Sequence, residues 1–274
     1  MRSFICPVCG KQLFKNAKNY ECENKHNFDI SKSGYVNLLM SQQIKDKRHG
    51  DDKIMVRSRR DFLDRGYYQI LLEGILDVVK RYSVNKGMIL DAGCGECWYT
   101  AHIFRTLSEM GKEPQILGID ISKNALELAH KRHANIERAV ASVSKIPVAS
   151  DSCDMLLNIF APYCESEYGR VLKREGIMVR VIPLEKHLRS LKNVVYDKPY
   201  ENVIHDDVLE TFEKLEVKEI RSTIHIDNNA DILNLFTMTP YYYKTSEQDY
   251  QKLKQLNDLD TEVEFGIIVY KKVI

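Results

Sequence analysis

Three cysteines and one histidine near the amino terminus have the spacing of a metal site. Two residues separate Cys6 from Cys9, and three residues separate Cys22 from His26. Twelve residues lie between the two pairs. Two close pairs of such ligands let a short chain surround a tetrahedral ion, and zinc favours this set. Because all four ligands come from protein, no position remains for a catalytic water. The sequence predicts a structural zinc at Cys6, Cys9, Cys22 and His26; unrelated buried thiols are the alternative.

A second candidate site is a glycine-rich turn between a predicted strand and a predicted helix. The apolar residues 88–90 lead into Asp91, and Gly93 and Gly95 follow in a D-x-G-x-G pattern. Such a turn brings backbone amides at a helix N-terminus close to a ligand. The next apolar stretch, 115–120, ends in Asp120, whose carboxylate is placed to accept hydrogen bonds from ribose hydroxyls. The pattern is neither the G-x-G-x-x-G of dinucleotide folds nor a P-loop.

Alternating strands and helices are expected to position these acids. Ser122 is the predicted N-cap of a helix over 123–133, and strands are predicted over 137–142 and 154–160. In the tail, strands over 215–227 and 262–272 flank a helix over 248–259 and complete the sheet as an antiparallel edge hairpin. The predicted fold class is α/β, a mostly parallel Rossmann-like sheet with an N-terminal zinc-ribbon-like module.

Composition limits the kind of partner. The chain has 274 residues, 44% of them hydrophobic, and 40 Lys and Arg against 39 Asp and Glu, which excludes a disordered or globally polybasic protein. The first 70 residues hold 14 Lys and Arg against 8 Asp and Glu, so if an anionic partner exists we expect it to bind at the N-terminal end. Neither a stretch long enough to span a membrane nor a signal peptide is evident, so we expect a cytoplasmic protein without a membrane partner.

Several motifs together resemble a known family. The L-D-x-G-C-G-E around Asp91 and the G-x-D-x-S around Asp120 resemble class I S-adenosylmethionine-dependent methyltransferases, as does the turn over 171–176, where Arg-Glu replaces the usual Pro-Gly. With the zinc module, the chain is similar over nearly its whole length to the 23S ribosomal RNA guanine-N1 methyltransferases. The matching segments are 26–29, 34–39, 59–68, 159–162, 186–188 and 238–240.

This resemblance implies an S-adenosylmethionine site. The cofactor-binding residues that it implies are Tyr68, Asp91, Gly93, Gly95, Tyr99, Thr100, Asp120, Ser142 and His187. Taken alone, Tyr68 also fits a core aromatic and His187 a surface or capping histidine. One departure is Cys97, which stands where the family's G-C-G-E-G has its last glycine. We expect a side chain to be tolerated there if the residue has already entered the helix.

The resemblance also implies methyl transfer to N1 of a guanine that is turned out of its RNA helix. Asn158 and Phe160 end the predicted fourth strand, where the amide could bind the guanine edge and the ring could stack, or both could simply close the core. Glu165 is the nearest following carboxylate and a candidate proton acceptor. RNA contacts are expected from a basic segment that also fits a solvated loop: Lys45, Lys47, Arg48, Arg57, Arg59 and Arg60.

The predicted organisation is a zinc-binding RNA-recognition module over 1–40, a basic linker or hinge over 41–60, and an S-adenosylmethionine-dependent methyltransferase domain over 61–274. The expected partners are a 23S ribosomal RNA hairpin and a second copy of the chain in a homodimer. Two alternatives stay open: a methyltransferase of another RNA or a small molecule, and a non-catalytic RNA-binding factor that retains the cofactor fold. Calorimetry with S-adenosylmethionine separates them.

Overall fold

The computed structural model describes residues 4–40, 50–204 and 209–274. The strands are β1 Leu13–Lys15, β2 Asn19–Cys22, β3 Asn27–Asp29, β4 Tyr35–Asn37, β5 Met88–Ala92, β6 Gln115–Asp120, β7 Glu137–Val140, β8 Cys153–Ile159, β9 Leu172–Pro183, β10 Phe212–Ile226 and β11 Leu259–Lys272. The helices are α1 Lys53–Asp64, α2 Gln69–Tyr82, α3 Trp98–Glu109, α4 Lys123–Ala129, α5 Glu165–Val171, α6 Arg189–Val195, α7 Asn229–Thr237 and α8 Glu247–Lys254. None of the described helices is long and apolar enough to cross a membrane.

The main sheet has eight strands in the order β10-β11-β9-β8-β5-β6-β7-β4. The pairs from β9 through β8, β5, β6 and β7 to β4 are parallel, whereas β11 pairs antiparallel with both β9 and β10. The predicted mostly parallel α/β sheet and its antiparallel edge hairpin are therefore confirmed. Because both faces of the sheet are covered, β5 is buried at every position, which explains its continuous apolar run.

Two apolar clusters pack on the sheet. One contains Ile89 with residues of α1, α2, α3, α6 and α7, and the other contains the neighbouring Leu90 with Tyr168 of α5. The second cluster also includes Phe4, Leu13 and other residues of the N-terminal unit. That unit therefore shares a hydrophobic core with the main sheet.

The N-terminal unit is a three-stranded antiparallel sheet, β1-β2-β3. It is tied to the larger sheet by a hydrogen bond from the Tyr20 hydroxyl to Oε2 of Glu137, 2.7 Å long. The chain then enters the main sheet itself, because β4 pairs in parallel with β7 at the sheet edge. Residues 35–37 of the predicted zinc module thus belong to the main sheet.

The structure corrects the predicted linker over 41–60. Residues 41–49 lie outside the described residues, but 53–60 form most of α1, with Met55 and Val56 buried. Asp52 caps this helix, since its side chain accepts hydrogen bonds from the amides of Ile54 and Met55. Helix α1 packs against α7 and belongs to the core of the larger domain, so the predicted boundary at residue 61 cuts through a helix.

Smaller differences lie at element ends. Ser122 caps α4 as predicted, but that helix ends at Ala129 rather than at 133. The turn predicted over 171–176 lies largely within β9, where the pairing with β8 shifts register and Glu175 takes a positive φ of 63°. Helices α2, α5, α6 and α7 were not predicted.

Candidate functional site

The four predicted metal ligands meet in one cluster. Their ligand atoms all lie within 4.8 Å of one another. The Sγ atoms of Cys9 and Cys22 are 3.7 Å apart, and Nδ1 of His26 lies 3.5 Å from Sγ of Cys6. Zinc–sulfur bonds of roughly 2.3 Å place tetrahedral sulfurs about 3.8 Å apart, so the cluster has the dimensions of a zinc site. The backbone amide of Lys11 donates to Cys9 and is the main cause that lowers the pKa of this thiol to about 6.

A cavity of about 860 Å³ opens at the carboxyl ends of β5, β6, β8 and β9. This is the edge at which doubly wound sheets bind ligands. Eight of the nine predicted cofactor residues line the cavity: Tyr68, Asp91, Gly93, Gly95, Tyr99, Asp120, Ser142 and His187. Thr100, the ninth, is buried behind Asp91 and donates a hydrogen bond of 2.5 Å from Oγ1 to Oδ2 of that residue.

Asp91 offers an acceptor that the described part of the protein leaves unused. Its Oδ1 is buried, and no described residue donates to it. Burial raises the pKa of Asp91 to about 7; the Thr100 hydroxyl opposes this rise, and the nearby Asp120 carboxylate adds to it. A buried acceptor without a donor is costly to keep. A cationic ligand group with N–H donors, such as an amino acid ammonium, would satisfy it.

The glycine loop leaves room for a ligand. Gly93 has φ +97°, and a Cβ there would lie 2.3 Å from Cβ of Ala161, so only glycine fits. A Cβ on Gly95, by contrast, would meet no described atom within 4 Å. The Gly95 amide donates to Oδ2 of Asp120 at 2.8 Å, and the Ser122 amide donates to Oδ1 at 2.7 Å. These bonds fix the carboxylate at the end of β6, where ribose hydroxyls can reach it.

Cys97 differs from its expected geometry. It precedes α3 as the N-cap residue and has φ 62° and ψ 30°, so it has not entered the helix. The left-handed conformation favours glycine, which is the residue at this position of the family pattern. The condition under which a side chain was expected to be tolerated here is therefore not met, and Cys97 is held in a strained backbone conformation.

Tyr68 and His187 form a buried pair at the wall of the cavity. The Tyr68 hydroxyl lies 3.4 Å from Nε2 of His187, and Nδ1 of His187 accepts from the amide of Glu264 at 3.2 Å. The second bond places the ring proton on Nε2. Burial lowers the pKa of His187 to about 3, so the imidazole is neutral at physiological pH and acts as a donor toward the cavity side. The buried hydroxyl of Tyr99 has no partner among the described residues.

The three predicted catalytic residues differ in their surroundings, and only Phe160 lines the cavity. Phe160 directly follows β8 in a left-handed conformation with φ 53°, lines the cavity and is 44% exposed, as a stacking surface requires. Asn158 is only 1% exposed. Its Nδ2 donates to the carbonyls of Ala161 and Pro162 and to the Tyr168 hydroxyl, so it shapes the loop and does not face a substrate. For Asn158, the predicted contact with guanine is wrong.

Glu165 also has another role. It lies at the start of α5, outside the lining of the cavity, and its Oε1 accepts from the amide of Thr211 at 3.0 Å. The carboxylate is committed to joining α5 to the chain before β10. As a proton acceptor for the substrate, Glu165 is misplaced.

The predicted RNA-binding residues also lie in different surroundings. Arg57 is exposed on α1, and Arg60 pairs with its neighbour Asp61 at the surface. Arg59 instead lines the cavity and pairs with Asp51. The remaining three lie outside the described residues: Lys45, Lys47 and Arg48.

Some cavity residues were missed from the sequence. Arg180, near the end of β9, has its Cζ 4.7 Å from the ring centroid of Tyr163, and both line the cavity. Tyr241, which follows α7, also lines it. Met238 and Pro240 belong to a segment used for the resemblance, but nothing local in that segment indicated a place in the cleft.

Comparison with known proteins agrees with this geometry. The zinc-ribbon family model described as "RlmA, N-terminal" matches residues 4–47, and the model described as "Methyltransferase domain" matches residues 89–176. The 23S rRNA (guanine(748)-N(1))-methyltransferase of Streptomyces fradiae is 30% identical over 239 residues, which cover 84% of this chain and 82% of that protein. The chain belongs to the 23S rRNA (guanine-N1)-methyltransferase family.

Two further relatives of this methyltransferase extend the match. The protein provisionally named 23S rRNA (guanine-N(1)-)-methyltransferase YxjB, from Bacillus subtilis (strain 168), is 28% identical over 98% of this chain and 97% of its own. A similarly named protein of Micromonospora griseorubida is 30% identical over 68% of this chain and 67% of its own. The protein is a class I methyltransferase with an N-terminal zinc ribbon; its cofactor is S-adenosylmethionine and its metal is a structural zinc.

The cleft fits this cofactor. The unpaired Oδ1 of Asp91 suits the ammonium of the methionine moiety, and the space beside Gly95 admits a ligand against the loop. Asp120 is placed for the ribose hydroxyls.

Proposed function

We propose that this methyltransferase transfers the methyl group of S-adenosylmethionine to N1 of a specific guanine in a hairpin of 23S ribosomal RNA. Its relatives are named 23S rRNA (guanine-N1)-methyltransferases, which supports this substrate. The observation that carries the proposal is the continuous cavity, which joins the residues suited to the cofactor to the exposed ring of Phe160. A guanine turned out of its helix can stack on such a ring while its Watson–Crick edge faces the cofactor.

The chain's contribution to the reaction is mainly positioning. When bound, S-adenosylmethionine supplies an electrophilic methyl group on its sulfonium. Asp91 would hold the methionine ammonium of the cofactor and Asp120 its ribose hydroxyls, and Phe160 would present the base from the end of the neighbouring strand β8. Fixing donor and acceptor in line converts a bimolecular displacement into an intramolecular one, which is a large source of rate.

The N1 proton must leave guanine, and the charged groups of the cleft limit where it goes. Among the described lining residues, Asp51 pairs with Arg59 and Glu96 pairs with Arg132. The Asp120 carboxylate accepts hydrogen bonds from two backbone amides, and Asp91 lies at the part of the cleft that suits the methionine moiety of the cofactor. The low pKa of His187 excludes it as a base at neutral pH. We infer that the proton passes to water at the open side of the cleft rather than to a carboxylate.

Methylation of isolated RNA tests the proposal. Zinc-loaded enzyme is incubated with methyl-labelled S-adenosylmethionine and 23S RNA transcribed in vitro. A methyl on N1 blocks Watson–Crick pairing, so reverse transcription is expected to stop at one guanine, and digested RNA should yield N1-methylguanosine. A transcript in which that guanine is replaced by adenine is the control and should accept no label. Absence of transfer by folded enzyme that binds the cofactor would overturn the proposal.

Calorimetry with S-adenosylmethionine separates the alternatives. Cofactor binding without methylation of 23S RNA would indicate another RNA or a small molecule as substrate. Absence of binding would indicate an RNA-binding factor that only retains the fold.

Location and assembly are part of the same proposal. A substrate in the large ribosomal subunit supports a cytoplasmic enzyme, and the family resemblance supports a homodimer. Light scattering of the purified protein tests the dimer, with a mass near twice the 31.8 kDa of one chain expected and the mass of a single chain contradicting it.

A further inference from the structure

Arg59 lies in an unexpected place for an RNA-binding side chain. It projects from α1 into the lining of the cofactor cavity, and its side chain is 28% exposed. Its Nη1 pairs with the carboxylate of Asp51, and its Nη2 donates to the carbonyl of Met238 at 3.1 Å. The two partners belong to segments that are distant in sequence, and together their contacts fix the plane of the guanidinium.

The surroundings of Arg59 are those of the cofactor. Burial raises the pKa of both Tyr68 and Tyr99, and the charge of Arg59 opposes the rise in each case. Burial likewise raises the pKa of Asp120, opposed by the amides of Ser122 and Gly95 and by Arg59. The guanidinium therefore lies within electrostatic reach of three predicted cofactor residues on three different elements.

The ligand carries a charge that no side chain among the predicted cofactor residues matches. S-adenosylmethionine has an ammonium, a sulfonium and a carboxylate. Asp91 suits the ammonium, but a buried carboxylate needs a cation or several N–H donors. His187 is neutral, and Arg180 pairs in register with Asn158 of β8 and lies against the Tyr163 ring, next to the segment that presents the base. Of the two arginines in the described lining, Arg59 is the one among the cofactor residues.

We propose that Arg59 binds the methionine carboxylate of S-adenosylmethionine, with Asp51 as a positioning residue. A guanidinium has more N–H donors than its two contacts here use, so it can hold Asp51 and a ligand carboxylate together. The proposal rests on the cofactor of the family and is independent of the RNA substrate. Its experiment therefore contains no RNA in its main arm.

Calorimetry with two ligands tests the proposal. The probes are S-adenosylmethionine and its decarboxylated form, which keeps the ammonium and the sulfonium. Wild-type protein should bind the decarboxylated ligand more weakly. Arg59→Met should weaken binding of S-adenosylmethionine by about 10- to 100-fold, the range for a charged hydrogen bond. The same variant should leave the affinity for the decarboxylated ligand within about threefold of the wild-type value.

Arg60→Met is the matched control, because Arg60 is the next residue on α1 and pairs with Asp61 at the surface. It should leave the affinity for both ligands unchanged. Arg59→Lys keeps the charge but loses the fork geometry, and an intermediate loss is expected for S-adenosylmethionine alone.

Each contrary result has a distinct meaning. An equal loss of both ligands in Arg59→Met would show that Arg59 acts only through the contact with Met238, and would overturn the proposal. So would normal cofactor affinity combined with lost RNA methylation, since Arg59 would then contact RNA. If Arg59→Met does not fold, the wild-type comparison still decides, because equal affinity for the two ligands contradicts a carboxylate contact. Binding of neither ligand would contradict the cofactor assignment itself.

Discussion

Burial sets the charge of the cleft side chains. Burial raises the pKa of Asp91 to about 7 and lowers the pKa of His187 to about 3, so it favours the neutral form of each side chain. For Asp91 this is costly at neutral pH, because the cofactor site needs the carboxylate that folding disfavours. An ammonium that binds to Asp91 would stabilise the carboxylate, and this stabilisation would add to the affinity for the ligand.

Asp91→Asn is expected to stabilise the cofactor-free protein and to weaken cofactor binding. The folded-state pKa of about 7 lies above the ordinary 3.8, so the folded protein keeps a proton that the unfolded chain releases between these values. The stability contributed by Asp91 therefore falls as pH rises through this window. The melting temperature of the variant relative to wild type should rise from pH 4 to pH 7 and then level off, while affinity for S-adenosylmethionine at pH 8 falls at least about tenfold.

Scanning calorimetry across pH and titration with cofactor measure the two effects. Asp61→Asn removes a surface carboxylate paired with Arg60 and is the control for both. A melting difference for Asp91→Asn that does not depend on pH would contradict the pKa shift. Unchanged cofactor affinity would contradict the contact with the ammonium.

Cys97 provides a test of backbone strain. Because its φ is 62°, Cys97→Gly relieves a left-handed conformation, whereas Cys97→Ala keeps that strain. Both variants remove the same buried sulfur. We expect Cys97→Gly to be more stable than Cys97→Ala by about 1 kcal/mol in urea unfolding, a difference that the ordinary preference for alanine over glycine would reverse.

At the level of elements, the sequence predicted those whose signal is local. The strands β5 and β6 are apolar runs that end in acids, and Ser122 is a standard N-cap. Helix α1 was missed because four of its twelve residues are Lys or Arg, so its composition resembles that of a basic linker although five others are apolar. Five of its residues are buried, and the helix packs against α7, which is distant in sequence. Tertiary packing makes this segment an element of the core.

The capping of α1 predicts how the helix supports the cleft. Asp52 accepts from the amides of Ile54 and Met55 at 2.8 and 2.9 Å, and the Tyr243 hydroxyl donates to its other oxygen. Asp52→Ala should cost about 1 to 2 kcal/mol in urea unfolding. Because α1 also holds Arg59, cofactor affinity should fall as well.

Asp52→Asn keeps a capping acceptor and should retain most of the stability lost in the alanine variant. The control is Asp61→Ala, which removes an exposed acid within the same helix. If Asp52→Ala melts like this control, the capping bonds do not stabilise α1.

On the scale of the whole molecule, the site residues that lie within short motifs could be predicted from the sequence. The residues that tertiary packing brings to the site from distant segments could not. The zinc ligands and the Asp91 loop lie within short stretches, so spacing alone indicated them. The cleft positions of Arg59 and Tyr241 depend on how α1 and the end of α7 pack over the sheet. Asn158 was misassigned because a strand end does not reveal that its amide is used by the loop that follows.

Removal of zinc should separate the functions of the two units. The N-terminal unit has a small core and depends on its metal, while Leu13 and Tyr20 pack into the cluster shared with the main sheet. Cys22→Ser is therefore expected to lose the zinc and to melt at a lower temperature than wild type. Every described residue that lines the cofactor cavity comes from position 50 or later, so affinity for S-adenosylmethionine should change by less than about threefold.

RNA methylation by the same variant should be lost, because the unit expected to recognise the RNA is disordered by loss of its metal. Cys153→Ser changes a buried thiol of the same hydrophobic cluster outside the metal site, and it should retain one zinc per chain. Zinc content is measured by atomic absorption, and binding and methylation are measured on the same preparations. Full methylation by zinc-free protein would show that the ribbon does not recognise RNA. Lost cofactor binding would show instead that the shared core transmits the unfolding to the cleft.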